Sequence, residues 1–98
     1  MKATVAGLVT PHLLKVVDLA RQEETGANVD WHVREAVSKT IDELAHQYNA
    51  RDLLSAYTQG LANAAEEARR ARKWHARVLR AAATQAAREL ERRAIEPA

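Results

Sequence analysis

The chain has 98 residues, with 47% hydrophobic and 29% charged side chains, no cysteine and a formal net charge of +2. That length supports one domain, or a small domain with a helical extension, and a modest core of the kind that oligomerisation often supplements. Without cysteine, disulfides and thiolate metal sites are excluded. No apolar run is long enough to cross a bilayer and no signal-like segment opens the sequence, so a cytoplasmic protein is expected. Heavy use of Ala and Arg with no Phe suggests a bacterial origin of high GC content.

In chain order, Lys2 to Val9 (KATVAGLV) is short, apolar and rich in β-branched residues, which predicts a strand or extended segment. Thr10-Pro11 then marks a helix start, with Thr as N-cap and Pro at the first helical position. That helix is expected to run to about Glu24, with Leu13, Val16, Val17 and Ala20 on one side and Gly26 in the following turn. Asn28 or Asp30 caps a second helix to about Tyr48, whose apolar side is Val33, Ala36, Val37, Ile41, Leu44 and Tyr48. Asn49, with Asp52 three residues on, caps a third segment with Leu53, Leu54, Tyr57 and Leu61 as its stripe. The stripe keeps its phase through Gly60, so one bent helix or two with a short break is expected there.

From Asn63 to Ile95 there is neither Gly nor Pro, and the strongest helix formers dominate. Asn63 and Glu66 read as a capping box, and a continuous helix would extend roughly 50 Å. One face carries Leu61, Ala64, Ala68, Ala71, His75, Val78, Leu79, Ala82, Ala86 and Leu90. A seam so rich in Ala buries little area per residue and demands a long contact with another helix. Leu61, Ala68, Ala71, His75, Leu79, Ala82, Ala86 and Leu90 are therefore the expected interface of a homo-oligomer, most simply a dimer joined through helices. His75, inside that seam, is expected to be a hydrogen-bonded interior histidine.

The opposite quadrant carries Arg69, Arg70, Lys73, Arg77, Arg80 and Arg88, with no acidic residue between Glu67 and Glu89. Residues 1–60 hold six basic and eight acidic side chains, against nine and five in residues 61–98. A basic half on a near-neutral body points to an anionic partner, nucleic acid first and an acidic protein second. Trp74 borders the stripe and would stack on a base if exposed, although burial under a neighbouring helix is the commoner fate. Trp31 lies opposite the apolar stripe of the second helix, which predicts a half-exposed or helix-covered position. An Ala-rich seam lacks the bulky residues that a membrane surface requires.

No phosphate loop, nucleophile elbow or paired catalytic carboxylates occur, and Ser38 and Ser55 have no base partner in the pattern. Asp42 and His46 stand at i,i+4, but nothing completes a metal set. No enzyme activity, cofactor or metal is expected.

The stretch Gly26-Ala27-Asn28-Val29-Asp30-Trp31-His32-Val33-Arg34-Glu35-Ala36-Val37, following a short apolar segment and a helix, resembles the turn and second-helix opening of the ribbon-helix-helix DNA-binding family. The resemblance covers roughly residues 2–46. It implies a two-protomer antiparallel ribbon in the major groove, with Lys2, Thr4 and Ala6 facing the bases. It also implies phosphate contact at the second-helix start, through Asn28, Val29 and Asp30. The sequence departs from that pattern at Ala6 and Gly7, which are poor reading residues, and at Asp30, which repels phosphate.

The expectation is thus a mainly α chain: a short N-terminal strand or extended segment, then three to four helices including a long C-terminal one. Residues 1–48 form the strand-helix-helix part and residues 49–98 a helical oligomerisation part. The function expected is that of a small DNA-binding accessory or regulatory protein of repressor, antitoxin, partition or mobilisation type. The competing reading is a helical adaptor that binds another protein and not nucleic acid.

Overall fold

A computed structural model describes residues 5–22 and 29–95 of the chain, and every regular element among them is helical. Helix α1 spans Val5–Arg21 and α2 spans Val29–Leu44. A short α3 (Ala50–Leu53) runs through one π-helical turn (Leu54–Thr58) into α4 (Gln59–Arg70). Helix α5 spans Ala76–Ile95.

The strand expected over residues 2–9 is not formed in its described part: Val5–Val9 is the first turn and more of α1. Nor does the helix begin at Thr10-Pro11; Pro11 sits inside it. The reason is burial. Val9, Val16 and Ala20 are fully or almost fully buried, with Leu13 packed beside them, an i, i+4, i+7, i+11 stripe that Val9 can join only if the helix continues through Pro11. The ring removes one backbone hydrogen bond near the helix start, and the stripe more than offsets it.

Helix α2 follows its pattern. Val33, Val37, Ile41 and Leu44 are buried, and the helix ends at Leu44, one turn before the expected Tyr48. The cap at Asn49 is present: its Oδ1 accepts the Asp52 backbone N–H at 2.8 Å, and its Nδ2 donates to Asp52 Oδ2 at 3.0 Å. From there the rod runs unbroken to Arg70. Leu53, Tyr57 and Leu61 face the core at steps of four residues, which the π-helical turn keeps in line. Gly60 lies inside α4, facing α1; a Cβ there would stand 2.5 Å from Leu13 Cδ1. The Gly is thus a site of close helix approach rather than a break.

The largest departure is in the expected long helix. It is not continuous: α4 ends at Arg70 and α5 starts at Ala76. Arg72 adopts a left-handed conformation with φ 57°. Its N–H bonds to the Arg69 carbonyl at 3.0 Å, and the Lys73 N–H to the Ala68 carbonyl at 2.9 Å. This pair of bonds is a Schellman motif, built on Arg instead of the usual Gly. Consequently α4 and α5 form an antiparallel hairpin, in which residues about Thr58, Ala62 and Glu66 lie opposite Ala87, Ala83 and Arg80. Asn63 is interior to α4 and accepts from Gln59 Nε2 at 3.0 Å, so the expected capping box does not exist.

The hairpin also answers the demand of the Ala-rich seam. Leu61, Ala68, His75, Leu79, Ala82, Ala86 and Leu90 are buried within this one chain, against α1, α2 and each other; Ala71 is exposed in the turn. Within this chain their packing partners are intramolecular. The molecule measures 40 × 30 × 18 Å, about two helix diameters thick.

Candidate nucleic-acid interface

Helix α2 lies alongside α5 and runs parallel to it. Gln85 Nε2 donates to the Arg34 carbonyl at 2.9 Å and to Ser38 Oγ at 3.1 Å. Ser38 Oγ donates to Glu89 Oε1 at 2.8 Å, and one turn farther Arg93 pairs with Asp42. Each pair is separated by about the same stretch of sequence, so the two helices stay in register over two to three turns.

Between them is a groove of about 900 Å³. Its lining holds five arginines, Arg34 from α2 and Arg77, Arg80, Arg88 and Arg92 from α5, against one carboxylate, Glu89. Glu89 sits on the floor, held by Ser38 and Gln85 (Nε2 to Oε2 at 3.3 Å). All five arginines are exposed. Arg80, Arg88 and Arg92 form no ion pair among the described residues. On α5, Arg77, Arg88 and Arg92 fall within about 60° of one another and span about 22 Å of helix axis, with Arg80 on the adjoining ridge. Apolar and neutral groups (Val33, Val78, Ala81, Thr84) fill the space between the charges.

The expected basic stripe therefore divides. Arg77, Arg80 and Arg88 stay together on α5 and gain Arg34 and Arg92. Arg69 and Arg70 end α4, where both pair with Glu66, at 2.5 Å and 3.4 Å. The Arg69 hydrogen bond, with the nearby Arg70 charge, holds the Glu66 carboxyl down at about 2. Their charge is thus partly neutralised. Lys73 turns to another side of the molecule, lining a groove of about 710 Å³ between α1 and α4 with Leu13, Leu14 and Arg21. Lys2, Thr4 and Asn28 lie outside the described residues.

Trp74, for which burial is the commoner fate, is 49% exposed in the hairpin turn. Trp31 is 58% exposed in the first turn of α2. His75 is buried, and its Nδ1 has no hydrogen-bond partner among the described residues. No group of three or more His, Asp or Glu side chains converges on a metal-binding geometry among the described residues, and Asp42 is engaged by Arg93. No helix there is long and apolar enough to cross a membrane.

Arg34 and Arg92 stand outside the sequence pattern because the groove is made by two helices far apart in the chain. One trace is present: Trp31, Arg34, Ser38 and Asp42 repeat at i, i+3, i+7, i+11, a second stripe on α2 separate from its apolar one. No protein-family model, curated protein or solved structure matches this chain.

Proposed function

We propose that this chain is a non-enzymatic nucleic-acid-binding accessory protein that holds the phosphate backbone in the α2–α5 groove. The observation that carries this reading is the set of exposed arginines Arg80, Arg88 and Arg92, unpaired among the described residues, in a groove whose lining also holds Arg34 and Arg77 and, among the described residues, one committed carboxylate. Phosphate contact needs positive charge, reach and freedom from competing carboxylates, and binding of this kind is largely independent of sequence. The reading does not use an N-terminal ribbon, since Val5–Val9 is helical. It leaves open the repressor, antitoxin, partition and mobilisation roles implied by the family resemblance.

Salt titration of binding to a short duplex and a short single strand tests it. Changing Arg77, Arg80, Arg88 and Arg92 together to Gln leaves several phosphates without a cation. The slope of log K against log salt should fall by about 0.7–0.9 for each phosphate no longer neutralised. Changing Arg69 and Arg70 to Gln, whose charges Glu66 already engages, should alter it much less. Equal effects of the two sets would remove the groove as the footprint. Absence of binding to either probe at low salt would shift the arginines to an acidic protein surface.

A further inference from the structure

Trp31 lies at the head of the α2 stripe that borders the arginine groove. On α2 it is within about 20° of Ser38 and 60° of Arg34, the residues whose side chain and carbonyl meet α5. A large indole at such a position ordinarily packs into the neighbouring helix. Here it stays 58% exposed, with the His32 ring 5.3 Å away at 78° in a T-shaped pair. An exposed aromatic face on the helix that forms one wall of an arginine-lined groove is a combination that grips unpaired bases and their phosphates together.

The five arginines of the groove are exposed, within reach of a single strand or a duplex alike. It is an indole face that favours the single strand, because only unpaired bases are free to stack on it. The roughly 22 Å from Arg77 to Arg92 accommodates a few nucleotides. Its floor of Val33, Ser38, Ala81 and Gln85 offers no second charge to oppose them beyond Glu89.

We infer that the ligand of this groove is single-stranded nucleic acid, with one base stacked on Trp31 and the following phosphates along Arg77, Arg88 and Arg92. This rests on the groove being the nucleic-acid site. The test uses the full chain carrying Trp74→Phe, in which Trp31 is the sole indole reporter, and titrates it with a short oligothymidylate and with a duplex of equal length. Oligothymidylate should quench the Trp31 emission saturably and bind more tightly than the duplex. Adding Trp31→Ala should weaken oligothymidylate binding about tenfold with the salt slope unchanged, leave duplex binding as it was, and be rescued by Trp31→Phe. Because the residue is exposed, these variants keep the core intact. Tight oligothymidylate binding without quenching, or equal losses on both probes, overturns the stacking assignment while the groove reading stands. If neither probe binds at low salt, the groove reading itself fails.

Discussion

Tyr57 is the largest fully buried side chain of the molecule, placed where the π-helical turn delivers it to the core. Among the described residues its hydroxyl has no partner of hydrogen-bonding geometry, although Thr40 is near enough to favour the phenolate slightly and Glu89 opposes it. Burial dominates and pushes its pKa from 10 up to about 12. The fold therefore binds the phenolic proton more tightly than the unfolded chain does. Stability from this group is complete below pH 10 and declines as the pH rises from 10 towards 12, by about 2–3 kcal/mol. Tyr57→Phe removes both the decline and the buried, unbonded hydroxyl. Denaturant titration should find the variant more stable at neutral pH by about 1 kcal/mol, and losing about 2–3 kcal/mol less than the parent between pH 10 and 12. A loss of stability at neutral pH would show that the hydroxyl is bonded after all.

At the scale of elements, α2 and the Asn49 cap are legible in the sequence because local preference and burial agree there: a clean stripe, and a polar cap followed by Asp52. Two of the boundaries that differ, the α1 start and the α4–α5 turn, are places where local signals and packing conflict. Thr10-Pro11 is a good helix start that the core overrides by recruiting Val9. The hairpin turn carries no Gly or Pro, and Arg72 takes a left-handed backbone that costs an L-residue roughly 1–2 kcal/mol. Nothing in Arg-Arg-Ala-Arg-Lys announces that. The turn gives a test with opposite signs for the two alternatives. In the hairpin, Arg72→Gly relieves the left-handed strain and should raise stability by about 0.5–1 kcal/mol, with Arg72→Ala near neutral. In a continuous helix, Gly would lower stability by about 1 kcal/mol and Ala would raise it. Thermal or urea unfolding of the two variants decides between them.

At the scale of the molecule, the apolar seam of residues 61–90 is legible as a surface that must be covered, but its pattern does not say by what. The chain covers it by folding the same helix back and laying α1 and α2 over the result, where the sequence pointed to a second copy. That arrangement is visible only once the turn is known. The same closure brings α2 against α5 and so creates the arginine groove; half of that site is legible in the α5 charges, and the rest depends on a pairing of distant segments. Intramolecular closure has a thermodynamic signature. Leu90, fully buried near the end of α5, touches the core of its own chain. Leu90→Ala should cost about 2–5 kcal/mol through reduced burial and a residual cavity. That is a large share of the roughly 5–15 kcal/mol typical of a domain. The decisive feature is concentration. If the seam is sealed within the chain, the unfolding midpoints of both parent and variant stay constant across a dilution of about a hundredfold, whereas a seam sealed between copies makes both fall on dilution.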